Sequence, residues 1–289
     1  MTRAQGVALL LLVTAIWGTT FVVIKGSLDS VPPSLFLALR FSAAALALLW
    51  VRPDRRTLKW AVVLGLASFV SYGSQTVGLV YTTASKAAFI TGLSVVITPF
   101  LAGIVYRTWV PGRVWFTAMV ALAGLALMTL TGEGGINVGD VIIVATAFAY
   151  AAHLLLIAEA VKRHDPLKLA AMQFWPVMVL SWVWAAPHVH MIPDLPASLW
   201  WSIAYLALVA TALVAIVQNY AQRVVPAHVA ALIFVLEPVV AAVFGWFFQG
   251  DRLGLAGWIG GALVVAAMLI SELAPARAPL GKHALNDRR

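Results

Sequence analysis

The sequence predicts an all-α integral membrane protein of ten transmembrane helices, built as two inverted five-helix repeats around a central cavity. Three observations predict it. Apolar runs long enough to cross a bilayer recur from end to end, with short connections between them. Positive charge collects in alternate connections. Residues of the first half reappear in the second at a constant spacing.

Of 289 residues, 62% are hydrophobic and 10% charged, and the mean hydropathy is +0.95. A soluble domain of this length could not hide so much apolar surface. Roughly 20 apolar residues span the hydrocarbon layer, and the runs fall at 5–25, 33–51, 60–81, 84–106, 113–131, 138–160, 166–186, 197–221, 227–248 and 254–273. Strict alternation with a period of two is absent, which argues against a membrane β-barrel. The first run is too long for the apolar core of a removable signal peptide and lacks a small-residue cleavage site. There is no cysteine, so disulfides and thiolate metal sites are excluded, and neither metal nor cofactor is expected.

The net charge of +8 would suggest nucleic acid if taken alone. Its distribution points elsewhere. With the N-terminus in the cytoplasm, Arg3, Arg52 to Lys59, Arg107, Arg113, Arg163, Lys168, Arg223 and the tail fall on the inner side, while Glu133, Asp140 and Asp194 fall outside. This positive-inside bias puts both termini in the cytoplasm and the chain in a bacterial cytoplasmic membrane. The expected partners are the bilayer and a small molecule, with no nucleic acid. Tryptophans agree: Trp50, Trp60, Trp109 and Trp115 lie at inner span ends, and Trp182, Trp184, Trp200, Trp201, Trp246 and Trp258 at outer ends, where indoles favour the headgroup layer. Trp17 and Trp175 fall near mid-span, and Trp175 is read as packing on a peripheral helix.

The repeat shows when "WGTTFVVIKGSLDSVPPSLFLALRF" (17–41) is set against "YAAHLLLIAEAVKRHDPLKLAAMQF" (150–174). At an offset of 133, Trp17 meets Tyr150, Pro33 meets Pro166, Arg40 meets Gln173 and Phe41 meets Phe174. Further on, Pro99 is set against Pro238. The halves are 1–131 and 132–273, with a disordered cytoplasmic tail at 274–289. Five spans per half force opposite insertion of the two halves, an arrangement typical of secondary transporters with substrate sites near the midplane.

These residues also carry a resemblance. "TAIWGTTFVVIKGSLDSVPPSLFLALRFSAAALALL" (14–49) resembles the opening of the drug/metabolite transporter superfamily in its ten-helix EamA-type branch. "LIFVLEPVVAAVFGWFFQGDRLGLAGWIGGALVVAAMLI" (232–270) resembles the closing helix pair of that branch. The resemblance implies export of small metabolites, often amino acids or amphiphiles, through a cavity lined by helices 1, 3 and 4 of one half and 6, 8 and 9 of the other.

Helical spacing selects the side chains that would line such a path. Span 1 offers Trp17 and Thr20, span 3 Tyr72 and Gln75, span 4 Thr91 and Ser94, span 6 Tyr150 and His153, and span 8 Thr211 and Gln218. Polar groups at these depths should point inward rather than to lipid. Each also has a plainer reading, since Ser and Thr in membrane helices often bond their own backbone. Arg40 is read as snorkelling or tying helix ends, and Lys25 and Lys86 as gate or interface charges. Gly124, Gly257 and Gly261 suit close packing of spans 5 and 10, leaving the chain a monomer or a homodimer through that pair. Pro99 and Pro238 are candidate hinges, because proline removes a helix hydrogen bond. Glu237, beside Pro238, is either a bonded structural carboxyl or a group that takes and releases protons during transport.

No H-E-x-x-H, paired aspartates, G-x-S-x-G or P-loop is present, which weighs against a membrane-embedded enzyme and against direct drive by ATP. With Arg40 placed far from the midplane, cations for a phosphate are lacking, so aromatic or other bulky amino acids are preferred as substrates. Drugs, cations, sugar phosphates and nucleotide sugars are the alternatives for the same fold.

Overall fold

The fold was analysed on a computed structural model that describes residues 1–129, 136–240, 243 and 254–273. The half boundary at 131–132, Trp246 and the tail at 274–289 lie outside the described residues. Within them the regular structure is entirely helical: α1 (Arg3–Trp17), α2 (Thr20–Ser27), α3 (Pro33–Ala47), α4 (Arg55–Tyr81), α5 (Ala84–Gly92), α6 (Ser94–Tyr106), α7 (Gly112–Thr129), α8 (Val138–Ala160) and α9 (Pro166–Ala185). A 3-10 stretch (Ala186–Asp194), α10 (Ala197–Ala204), a π-helical segment (Tyr205–Leu213), α11 (Val214–Ala221), α12 (Ala227–Phe234) and α13 (Leu255–Leu273) follow. Six helical stretches are long and apolar enough to cross a membrane: Arg3–Ser27, Arg55–Tyr81, Lys86–Tyr106, Val138–Ala160, Pro166–Asp194 and Ala197–Ala221. Pro33–Ala47, Gly112–Leu127, Ala227–Val240 and Leu255–Ser271 are shorter apolar helices.

Helix starts are set by local chemistry at the polar edges of the bundle. A cap supplies an acceptor to amides that have none within the helix. Thr2 with Gln5 and Asn137 with Asp140 form capping boxes for α1 and α8. Asp54, Thr83 and Asp165 cap α4, α5 and α9. Pro33 and Pro166 occupy first-turn positions of α3 and α9, where a missing N–H costs nothing. The Arg56 amide donates to Asp54 Oδ1 at 3.1 Å, which holds that carboxyl below its ordinary pKa, with Lys168 and Thr57 assisting.

Connections that the charge pattern assigns to one side meet one another. At the basic end, Asp54 lies 4.0 Å from Lys168 and Thr57 bonds His164. Gly6 packs on Val224 and Val225, and Arg113 donates to the Ile270 carbonyl. At the opposite end, Lys25 donates to the carbonyls of Leu79 and Thr82, and Lys86 pairs with Asp140 at 3.7 Å. Ser34 there bonds His188.

The main helix pairings are α4 with α8 and α9, α3 with α9, α1 with α11, and α7 with α13. Phe36, Phe41, Phe174 and Leu206 fill one buried cluster, and Leu10, Val13, Leu154 and Phe234 another. The outer surface is apolar as well, with Leu46, Val70, Phe116 and Leu213 exposed, as a hydrocarbon solvent allows. Trp175 belongs to that outer surface, at 42% exposed, rather than to the packed interior. The sequence places it by position on its helix, but burial depends on the side of α9 that its neighbours leave uncovered.

Close crossings rest on glycine. A Cβ on Gly78 would lie 2.3 Å from Ile143 Cγ1 and 3.0 Å from the Gly139 carbonyl, while one on Gly139 would lie 2.5 Å from the Gly78 carbonyl. Gly124 of α7 approaches the Gly260 carbonyl of α13 in the same way, and Gly261 faces Val239. Gly78→Leu should therefore force α4 and α8 apart, at a cost of about 1–3 kcal/mol. A melting temperature in detergent equal to that of the unmodified protein would contradict this close crossing.

Candidate functional site

Several helices break or loosen at mid-depth, and the polar and aromatic side chains gather there. The first span breaks at Gly18–Thr19 between α1 and α2. A Cβ on Gly18 would meet Val240 and the Glu237 carbonyl at 2.9 and 3.1 Å, so this break packs directly on the segment 237–240. A second break falls at Leu93 between α5 and α6, and a third at Val235–Leu236 after α12. The helix runs on through Pro99, and 237–240 is helical around Pro238. The loosened turns thus precede both prolines. The Pro238 ring crowds the Phe234 carbonyl four residues earlier and disfavours helical geometry just before itself, which accounts for the turn at Val235–Leu236; the carbonyl four residues before Pro99 is that of Val95, inside the regular part of α6.

Trp17 ends α1 and stands at the centre of an aromatic group. Its ring centroid lies 5.9 Å from Tyr150 of α8, edge-on, and 5.0 Å from Phe234 of α12. Tyr150 and Phe234 are 6.1 Å apart. Trp17 and Tyr150, equivalent positions of the two halves, are therefore in contact. The indole Nε1 donates to the Ala210 carbonyl at 3.0 Å. Ala210 lies in the π-helical segment, whose wider turn is a form often found at functional sites. Tyr205, in the same segment, shares a 2.6 Å bond with the Thr19 hydroxyl at the first break. Tyr150 Oη is buried with no hydrogen-bond partner.

One residue further along that segment, Thr211 Oγ1 accepts from Arg40 Nε at 3.0 Å. The Arg40 guanidinium lies 4.9 Å from the Tyr72 ring and 5.8 Å from Phe41. Arg40 is 1% exposed. This corrects its reading as a snorkelling side chain. The π segment and α4 pack along α3, and Thr211 and Tyr72 bury the guanidinium between them. Its Nη1 is buried without a partner.

The other selected side chains divide by what they bond. Thr20 donates to the Trp17 carbonyl at 2.9 Å and so satisfies its own helix break. His153 Nε2 lies 3.1 Å from Ser68 and 3.0 Å from Gln173, between α4 and α9 and turned from the Trp17 group. Gln218 donates to Gln222, which in turn donates to the Leu154 carbonyl. Gln75 is half-buried on α4, one turn from Tyr72. Ser94 is buried at the start of α6, and Thr91 Oγ1, just before the second break, has no partner. Glu237 is half-buried, and among the described residues its carboxylate receives no hydrogen bond and no ion pair. Thr98, its equivalent in the first half, also has an unpartnered oxygen.

Arg40, Phe234 and Tyr205 join this group of contacts and were not selected from the sequence. For Arg40 a signal existed: a cation within an apolar span. For Phe234 and Tyr205 there was none, since an aromatic residue on an apolar helix looks like any other core residue.

A bundle of apolar helices, broken at mid-depth around polar and aromatic groups, defines an integral membrane protein of the transporter type. The comparisons name the family: the chain belongs to the EamA-like transporter family, which matches residues 4–130 and again 137–272. An "Uncharacterized transporter" of Archaeoglobus fulgidus is 32% identical over 269 residues, covering 91% of this chain and 84% of that protein. A "Probable amino-acid metabolite efflux pump" of Escherichia coli (strain K12) is 24% identical over 287 residues, covering 94% and 95%. A solved crystal structure matches with TM-score 0.73 at 15% identity, over 94% of this chain and 98% of that one, a likeness of fold alone.

Proposed function

We propose that the protein is a secondary exporter of small organic metabolites, foremost aromatic or other bulky amino acids, working by alternating access in the bacterial cytoplasmic membrane. The observation that carries this reading is the contact between Trp17 and Tyr150, one from each half, at the level where α1 breaks. A path closed by facing aromatic rings from two halves offers stacking area to an aromatic side chain. The name of the Escherichia coli relative supports the substrate class.

The ten helices form two five-span repeats of opposite orientation, with both termini cytoplasmic. Two features support this reading. Each half matches the same family. The pairings of α3 with α9, α7 with α13 and α6 with α12 join equivalent spans, and α1 with α11 mirrors α4 with α8, as a two-fold relation between halves requires. The chain has no cysteine, so single cysteines at Lys168 and Asp194 test the topology. A membrane-impermeant thiol reagent applied outside intact cells should label the Asp194 position and spare the Lys168 position; the reverse pattern would overturn it.

Pro99 and Pro238 soften the two breaks and let each half bend. Glu237 serves coupling rather than scaffolding, because a structural carboxylate at this depth needs donors and this one has none among the described residues. Tyr72 and Tyr150 lie within electrostatic reach of Glu237, and Tyr72 of Arg40 also. Glu237→Gln keeps the shape but cannot exchange a proton. It should retain counterflow and lose concentrative transport under an imposed pH gradient, and unchanged concentrative transport would return Glu237 to a structural role.

In proteoliposomes loaded with labelled amino acids, wild type should exchange phenylalanine and tryptophan. Trp17→Ala and Tyr150→Ala should each lower that exchange about threefold to tenfold, the worth of one lost aromatic contact. Undiminished exchange by both folded variants removes the pair from the path. Flux of triose phosphate or a nucleotide sugar without amino-acid flux overturns the substrate class.

A further inference from the structure

Arg40 is a buried cation whose placement the scaffold does not explain. A guanidinium in a low-dielectric interior is costly unless hydrogen-bonded and charge-paired. Here one nitrogen, Nε, donates to Thr211 Oγ1. No carboxylate among the described residues lies within ion-pair distance. Nη1 is fully enclosed and, among the described residues, donates to nothing. Aromatic faces of Tyr72 and Phe41 flank the group and fix its plane. The Thr211 bond occupies the Nε edge and leaves the terminal edge, the two-nitrogen fork that matches a carboxylate in bidentate fashion.

The guanidinium and the Trp17 indole are tied to the same segment. Thr211 follows Ala210, whose carbonyl takes the Trp17 indole N–H. Tyr72, under the guanidinium, is half-buried and one turn from Gln75. One short stretch of π helix therefore holds both the guanidinium and the indole, through adjacent residues. A molecule with a flat apolar group against Trp17 and Tyr150 and an anionic group at Arg40 would use both.

We propose that Arg40, oriented by Thr211 and Tyr72, is the carboxylate anchor of the substrate site. The inference rests on the exporter reading and deepens it by naming the substrate chemistry: a monocarboxylate on an aromatic or bulky frame. The buried charge is compensated by the ligand rather than by the protein. An empty transporter then carries an uncompensated cation that the substrate carboxylate neutralises on arrival.

Binding to detergent-purified full-length protein tests this directly, by the shift in melting temperature with 3-phenylpropanoate and with its neutral isostere 3-phenylpropanamide. Wild type should be stabilised by the acid and not by the amide, with at least about a tenfold difference in apparent affinity. Arg40→Gln should lose that preference, and Arg40→Lys, which keeps the charge but not the fork, should lose most of it. Thr211→Val, which frees Nε and leaves the charge, should weaken acid binding less than either. Arg40→Gln need not fail to fold, since removing an unpaired buried charge can raise the melting temperature of the empty protein. Equal stabilisation of wild type by acid and amide overturns the anchor, and so does an Arg40→Gln variant that still prefers the acid. Absent phenylalanine counterflow, with the Arg40-dependent preference for the acid intact, overturns the amino-acid reading and leaves the anchor standing.

Discussion

A hydrocarbon solvent offers no hydrogen bonds, and the arrangement of mid-depth groups in this protein follows from that constraint. Backbone groups are satisfied within helices, so any break must find a local acceptor or donor. At the first break the hydroxyls of Thr19 and Thr20 return to the carbonyls of Ile16 and Trp17. The Trp17 indole then reaches across to the Ala210 carbonyl. The π-helical segment Tyr205–Leu213 meets most of these demands: the Tyr205 hydroxyl bonds that of Thr19, the Ala210 carbonyl accepts from Trp17, and the Thr211 hydroxyl accepts from Arg40. Its departure from α geometry and its load of side-chain bonds occur together. Losing this segment would leave an indole, a guanidinium and a helix break without partners at once.

The prolines extend the same logic. Pro99 lies inside a continuous α6, and Pro238 follows the turn that ends α12. In both places the irregular turn comes first. The resulting loose segments are short, and they sit against rigid neighbours: α6 on α8 and α7, and 237–240 on the Gly18 break. On the proposed reading, bending is confined to these turns, and a small rotation there changes which end of the site is closed.

Much of this was legible in the sequence because hydrophobicity and charge are local. The ten apolar runs and the charge bias of the connections show without tertiary information. The pairing of Trp17 with Tyr150 was legible through the 133-residue offset. What could not be read was which neighbour covers each polar group. Arg40 looked peripheral because it lies two turns into its helix, yet partners 32 and 171 residues away bury it. His153 shares a helical face with Tyr150 in projection, but Ser68 and Gln173 draw it toward α4 and α9. Such assignments depend on contacts between distant segments, and helical periodicity carries no information about those.

The places where the repeat departs from itself are the places that carry charge. Arg40 corresponds to Gln173, and Glu237 to Thr98. Gln173 is satisfied by His153 inside a hydrogen-bonded set, whereas Arg40 Nη1 finds no partner among the described residues. Thr98 and Glu237 both lack partners, but only the second can hold a charge. The symmetric elements — paired helices, paired prolines, facing aromatic rings — belong to the scaffold and its movement. The unsymmetric elements are one cation from the first half and one carboxylate from the second, which the proposed reading assigns to recognition and to coupling respectively. In the proposed exporter, such a scaffold alternates between two related shapes while presenting a single polarity to its cargo. The cargo that suits such a site has two different ends, one anionic and one not, with an apolar body between Trp17 and Tyr150.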